Sequence, residues 1–142
     1  MKNLFLILFA FLTAVAPDSN AQCDADIYTT QCIPQLPDGF NFLKGYKIDG
    51  RGGEKEKVEF SYVFTKGTKY MINLCSADEG TDGIIVSLFD ARRNRIATSI
   101  IDGQFAKAIA FPCNTTGIYY ISYSFEGSKS HCGGSALGFS KS

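Results

Sequence analysis

From residue 58 onward, hydrophobic and polar positions alternate with a period of two. Val58, Phe60, Tyr62 and Phe64 fall on one side of an extended run. Glu59 and Ser61 fall on the other, with Val63 as the exception. A half-buried strand has this period, because successive side chains leave opposite faces of the pleat. Thr65-Lys66-Gly67-Thr68 reads as a turn, and Tyr70, Ile72 and Leu74 then resume the pattern with Lys69 and Asn73 opposite. A third run covers residues 84–90, and Ala91-Arg92-Arg93-Asn94 reads as a hairpin turn. Residues 95–101 and 106–111 predict two strands around Asp102-Gly103. Tyr119, Ile121, Tyr123 and Phe125 line one face of a long strand. Residues 42–48 and 136–139 predict two shorter ones. Residues 49–57, 76–83 and 127–134 read as polar or flexible loops. Residues 22–41 show little periodicity and read as an irregular, cysteine-tied lead-in. No helical stripe is expected beyond the first residues. Eight short runs separated by Gly- and Asp-bearing turns predict an all-β, antiparallel sandwich or small barrel.

The first residues break this pattern and change the setting. Lys2 precedes an almost wholly apolar run over residues 4–15, and Ser19-Asn20-Ala21 fits the small-x-small cleavage rule. Residues 1–21 therefore read as a signal peptide, and residues 22–142 as one domain. The apolar run is short of the roughly 20 residues that a spanning helix needs. The expectation is a secreted, periplasmic or cell-surface protein with no membrane span after cleavage.

Lys and Arg number 14 and Asp and Glu number 14, for a net charge of zero. That balance argues against a nucleic-acid binder. All five cysteines (Cys23, Cys32, Cys75, Cys113 and Cys132) follow the export signal, so disulfides are expected. Cys75–Cys113 is the preferred pair, because each residue ends a predicted strand. Closing such a loop contributes on the order of 4 kcal/mol in the chain-entropy model. A second bridge ties Cys132 to Cys23 or Cys32, with Cys23–Cys32 as the competing local pair. The remaining thiol is either buried or paired with another molecule.

The aromatic run of residues 60–64, Lys66-Gly67-Thr68 and the alternating run of residues 70–74 together carry a resemblance. Asp82 with Val86-Ser87-Leu88-Phe89-Asp90, then Phe111-Pro112 and Gly117-Ile118-Tyr119, extend it. In these motifs the chain resembles the bacterial pre-peptidase C-terminal domain, over about half of the exported part. It also resembles small stand-alone secreted proteins of Bacteroidetes-type bacteria. The resemblance implies a jelly-roll-like β-sandwich of about eight strands, acting as a binding or accessory module without catalysis. The cysteines and the Gly-rich C-terminal end lie outside the family pattern, and no accompanying catalytic domain is expected.

Chemistry-bearing residues are few. His131 is the single histidine, in a polar loop beside Cys132, so a catalytic triad or a zinc site has little to draw on. Asp78, Glu79 and Asp82 are the best metal candidates, since calcium favours clustered loop oxygens; otherwise no cofactor is expected. The plainer account makes them turn residues using Asp for local hydrogen bonds. Arg92 and Arg93, with Arg95 beside them, form a small basic hairpin tip that suits an anion. Tyr120 should point outward beside Ser122, and Tyr46 and Tyr28 are expected at the surface as well. Outward tyrosines stack on sugars or anchor protein partners. The leading expectation is a non-enzymatic module binding a protein, a glycan or a cell-surface polymer. The alternatives are a small hydrolase using paired acids or a loop metal, and a structural envelope-assembly component.

Overall fold

The computed structural model describes residues 23–77 and 82–141. The expected signal peptide, Asp78 and Glu79 lie outside the described residues. A helix, α1 (Ala25–Cys32), precedes ten strands. These are β1 (Asn41–Asp49), β2 (Lys57–Phe64), β3 (Thr68–Asn73), β4 (Ile85–Phe89) and β5 (Arg95–Thr98). They continue with β6 (Ile100–Ile101), β7 (Gln104–Phe105), β8 (Ala108–Pro112), β9 (Gly117–Ser124) and β10 (Cys132–Lys141). One sheet has the order β1-β10-β3-β8 and the other β2-β9-β4-β5, with β6-β7 as a separate hairpin. Every pairing is antiparallel. Along the chain the long strands pass back and forth between the two sheets, which is the interleaved order of a jelly roll.

The alternation read from the sequence points the core inward. Tyr119, Ile121, Tyr123 and Phe125 are all buried. They meet Phe64 of β2, Tyr70 and Ile72 of β3, and Val86 and Leu88 of β4. Phe64 sits at the centre of an aromatic column, with ring centroids 3.9 Å from Tyr70 and 4.9 Å from Tyr119. Burying each such side chain contributes about 1.5–3 kcal/mol.

The expected strand over residues 95–101 is broken at Ser99. Its N–H donates to Val86 O (2.9 Å), its Oγ accepts from Val86 N (3.0 Å), and its carbonyl accepts from Ala106 N (2.7 Å). Those bonds clamp the buried Ser99, and the chain then turns into the β6-β7 hairpin. Asp102 and Gly103 both take positive φ (52° and 75°), as a two-residue hairpin turn requires.

The N-terminal lead-in is not irregular. Residues 25–32 form α1, which lies on the outer face of the first sheet over β1 and β10. Eight residues without an apolar stripe would not hold a helix in isolation. Tertiary contacts hold it here: Ala25 and Cys32 are buried, and Thr29 Oγ1 donates to Tyr46 O (3.0 Å). The buried Asn73 amide donates to Cys32 O (2.8 Å), and Ala136 N donates to Asn73 Oδ1 (2.7 Å). The stretch expected to be flexible up to Gly134 in fact enters β10, whose outward positions Gly134, Ala136 and Gly138 are small. A Cβ on Gly134 would collide with the backbone of Tyr28 and Thr29, so glycine is what lets the helix lie this close.

The disulfides are Cys23–Cys132 and Cys32–Cys75, with Cα separations of 5.4 and 5.7 Å. The expected Cys75–Cys113 pair does not form, and Cys113 is free and buried. Strand direction is the reason. β3 and β8 are antiparallel, so their C-terminal ends lie at opposite ends of the sheet. Cys113 N donates to Thr68 O, whereas Cys75 lies beyond the far end of β3. The gap is roughly 20 Å of strand, well outside disulfide reach.

Candidate functional site: the outer face of the second sheet

The two outer faces differ. The first sheet is covered by α1, whereas no described element lies over the second. Register determines what that second face displays. On β9 the inward set is Tyr119, Ile121 and Tyr123, so Ile118, Tyr120 and Ser122 face outward. Opposite them on β2 stand Val63, Ser61 and Glu59. Phe89 of β4 pairs with Tyr120 from the other side. Val63 and Ile118 form a cross-strand pair and are 58% and 48% exposed.

The turn between β4 and β5 brings a cation across this face. Asp90 Oδ1 accepts from Arg92 N (3.0 Å) and Asn94 N (2.9 Å), which winds the turn tightly. The Asn94 N–H holds the Asp90 carboxyl below its ordinary range, reinforced by Asn94's amide and by Arg92. Arg93 takes φ 67°. Its guanidinium lies 3.7 Å from the Tyr120 ring centroid and bonds Glu59 Oε1 at 2.5 Å. The Glu59 hydrogen bond holds that guanidinium still more firmly protonated. Tyr120 therefore points outward as expected, but Arg93 covers one face of its ring. Arg92 diverges from its neighbour toward the loop end of the sandwich.

There, a groove of about 400 Å³ is lined by Asp90, Arg92, Ile96, Phe111, Ile118 and the Asn114-Thr115-Thr116 loop. The loop is held from below. Tyr119 Oη donates to Thr115 O (2.6 Å), and the Cys113 thiol donates to the same carbonyl (3.2 Å). Burial, then Cys113, pushes the Tyr119 hydroxyl up to about 12. Thr116 Oγ1 accepts from Lys66 N (2.9 Å), which fastens the loop to the β2-β3 turn.

The remaining expected site residues fall elsewhere. Tyr46, expected at the surface, is 2% exposed. A bulge between Phe42 and Lys44 switches the faces of β1, so Leu43 and then Tyr46 and Ile48 all reach the core. Burial, then the nearby Tyr62, pushes the Tyr46 hydroxyl up to about 12. Its oxygen has no hydrogen-bond partner among the described residues. Tyr28 is half-buried against the Cys32–Cys75 cluster.

Asp82 is the described member of the acidic loop. Its carboxylate accepts from Ser128 Oγ (2.9 Å), Ser130 Oγ (2.5 Å), Ser130 N (3.1 Å) and Lys129 N (3.4 Å). Partial burial raises its pKa, but the bonds from Ser130, Ser128 and Lys129 outweigh that and hold it below the ordinary value. Those contacts make Asp82 a fastener between two loops. Among the described residues no three His, Cys, Asp or Glu side chains gather as metal ligands. The His131 ring packs on Phe125, with centroids 5.5 Å apart. It borders a second groove of about 470 Å³, whose charged residues Lys55, Lys57, Glu56 and Glu126 balance in sign.

Sequence reasoning named Tyr120, Arg92 and Arg93 as candidates, noted Val63 only as a break in the alternation, and did not single out Glu59 or Ile118. The exposed pair is visible as a signal only once β2 is set in register against β9.

No family model and no curated protein matches the chain. Among solved structures, similarity extends to Aeromonas hydrophila PliG, a periplasmic lysozyme inhibitor of g-type lysozyme. The match covers 76% of this chain and 92% of that one, at 12% sequence identity and a TM-score of 0.45. A likeness of that size carries no functional inference.

Proposed function

We propose that this is a secreted, non-enzymatic binding module that recognises a partner protein through the outer face of its second sheet. The observation that carries the proposal is the difference between the two faces. One is closed by a disulfide-stapled helix. The other displays the half-exposed Val63, Ile118 and Ile96 beside the Tyr120–Arg93–Glu59 cluster. Apolar side chains ringed by aromatic and Arg anchors have the composition of an interface centre. Export is supported by the two disulfides, which persist in oxidising compartments.

The test is a panel of secreted proteins and surface glycans, with titration of every hit. Saturable binding to a protein, lost when Val63→Lys and Ile118→Lys are combined in a folded variant, supports the proposal. Binding that survives the double substitution, or saturable binding confined to glycans, refutes it. So does turnover of a substrate without any binding partner.

A further inference from the structure

We infer that the groove at the loop end of the second sheet takes an acidic side chain and a neighbouring aliphatic one from an extended segment of the partner protein. This inference rests on the binding-module proposal and adds the chemistry of the partner.

Three loops meet at this end: the β2-β3 turn, the β4-β5 turn and the β8-β9 loop. They carry Lys66, Arg92 and Arg93 against a single acid, Asp90. Arg93 is engaged by Glu59 and Tyr120. The Asp90 carboxylate is engaged by the N–H groups of Arg92 and Asn94 and by the Asn94 amide. Arg92 lines the groove, and among the described residues its guanidinium forms no ion pair. A planar guanidinium with parallel donors pairs bidentately with a carboxylate, the ordinary anionic group of protein side chains. Arg92, whose charge is offset within the groove only by nearby Asp90, therefore suits a Glu or an Asp side chain.

The aliphatic half follows from the walls. Ile96 (39% exposed) and Ile118 (48% exposed) share the groove with Phe111. Branched aliphatic walls pack against aliphatic side chains, and the Phe111 ring between them is packed against Phe64 and Tyr119. On the adjoining sheet face, Arg93 covers one side of the Tyr120 ring. An acidic polysaccharide would satisfy Arg92 but would leave the isoleucines facing hydroxyls. The groove at the other end lacks this asymmetry, because two lysines there face two glutamates.

The test uses an array of immobilised octapeptides. Each pairs one Glu or Asp with one Leu or Ile at a defined spacing, and each has a matched Gln or Asn version. The probe is the exported chain with both disulfides formed. Acidic–aliphatic peptides should bind about tenfold tighter than their neutral matches, as one engaged ion pair would provide. Arg92→Gln should abolish that preference and Arg92→Lys should restore part of it. Lys55→Gln, which removes a positive charge at the opposite end, should leave it intact. Equal binding of the neutral peptides overturns the inference, as does indifference to Arg92→Gln. It is equally overturned if oligouronates bind and the peptides do not. If a protein partner is lost with Val63→Lys/Ile118→Lys but unaffected by Arg92→Gln, the groove inference fails while the binding-module proposal stands.

Discussion

Removing the Cys32–Cys75 bridge should cost this fold a large part of its stability and release α1, while removing Cys113 should do neither. The bridge spans 43 residues. In the chain-entropy model a loop of that length contributes about 4 kcal/mol by restricting the unfolded chain. Whole domains are stable by only about 5–15 kcal/mol, so Cys32→Ala with Cys75→Ala should shift the urea midpoint far down. The native-state effect is local. Cys32 ends α1, and its carbonyl accepts the Asn73 amide (2.8 Å). With the bridge gone, that hydrogen bond, the Thr29–Tyr46 bond and the exposed Asp26–Lys47 ion pair are polar ties left to the helix. Amide exchange within α1 should therefore accelerate ahead of the sheets. Cys113 is buried in the core, with its thiol directed at Thr115 O and Tyr119 Oη. Cys113→Ala should cost about 1–2 kcal/mol, as a small core truncation does. The assay is urea unfolding of both variants, with non-reducing peptide mapping of the parent. The reasoning is refuted if Cys113→Ala destabilises as much as the double variant, or if mapping recovers a Cys75–Cys113 peptide.

Gly134→Ala should destabilise by about 1–3 kcal/mol, since its Cβ meets the backbone of α1 rather than a side chain that can move; denaturant titration checks it, and an unchanged midpoint counts against the close approach. Asp82 has a lowered folded-state pKa, so its contribution is present above its unfolded value of 3.8 and is lost as pH falls through the lower folded value. Asp82→Asn should therefore lower stability at neutral pH and flatten the acid limb of a stability–pH profile. Tyr46 and Tyr119, both raised to about 12, run the other way. Their neutral forms stabilise the fold fully below pH 10, and that contribution is lost as pH rises toward 12; ultraviolet difference titration should show tyrosines ionising only at that alkaline limit, together with unfolding.

What was legible in the sequence follows from which interactions are local. The alternation in residues 58–64 and 119–125 records burial on one face, and those strands appear within a residue or two of where they were read. The expectation of a pre-peptidase C-terminal-like domain is drawn from the same core and turn residues. α1 left no such record, because an eight-residue helix held by a disulfide and by glycines a hundred residues away has no periodicity of its own. Tyr46 was misplaced for a related reason. A bulge of one residue inverts every later side chain of a strand, and nothing in residues 42–48 announces it.

The surface site was hidden at a further level, since it depends on which strands pair and in what register. Glu59, Arg93 and Tyr120 belong to β2, to the β4-β5 turn and to β9. They meet only because β9 runs between β2 and β4, with Ser122 opposite Glu59 and Tyr120 opposite Phe89. A basic turn tip read in isolation suggested two equivalent cations. Register separates them, folding Arg93 back onto the sheet, where it is neutralised, and leaving Arg92 at the groove. Two adjacent arginines thus hold different positions, and the distinction bears directly on function. A cation already paired with Glu59 and stacked on Tyr120 is desolvated in part before any partner arrives and gains little from a new anion. Arg92, which forms no ion pair among the described residues and lies beside Ile96 and Ile118, gains most, because a partner that covers the isoleucines also removes water from the ion pair it forms. Any acidic partner of this face should therefore depend on Arg92 more than on Arg93, although the two are neighbours in the chain.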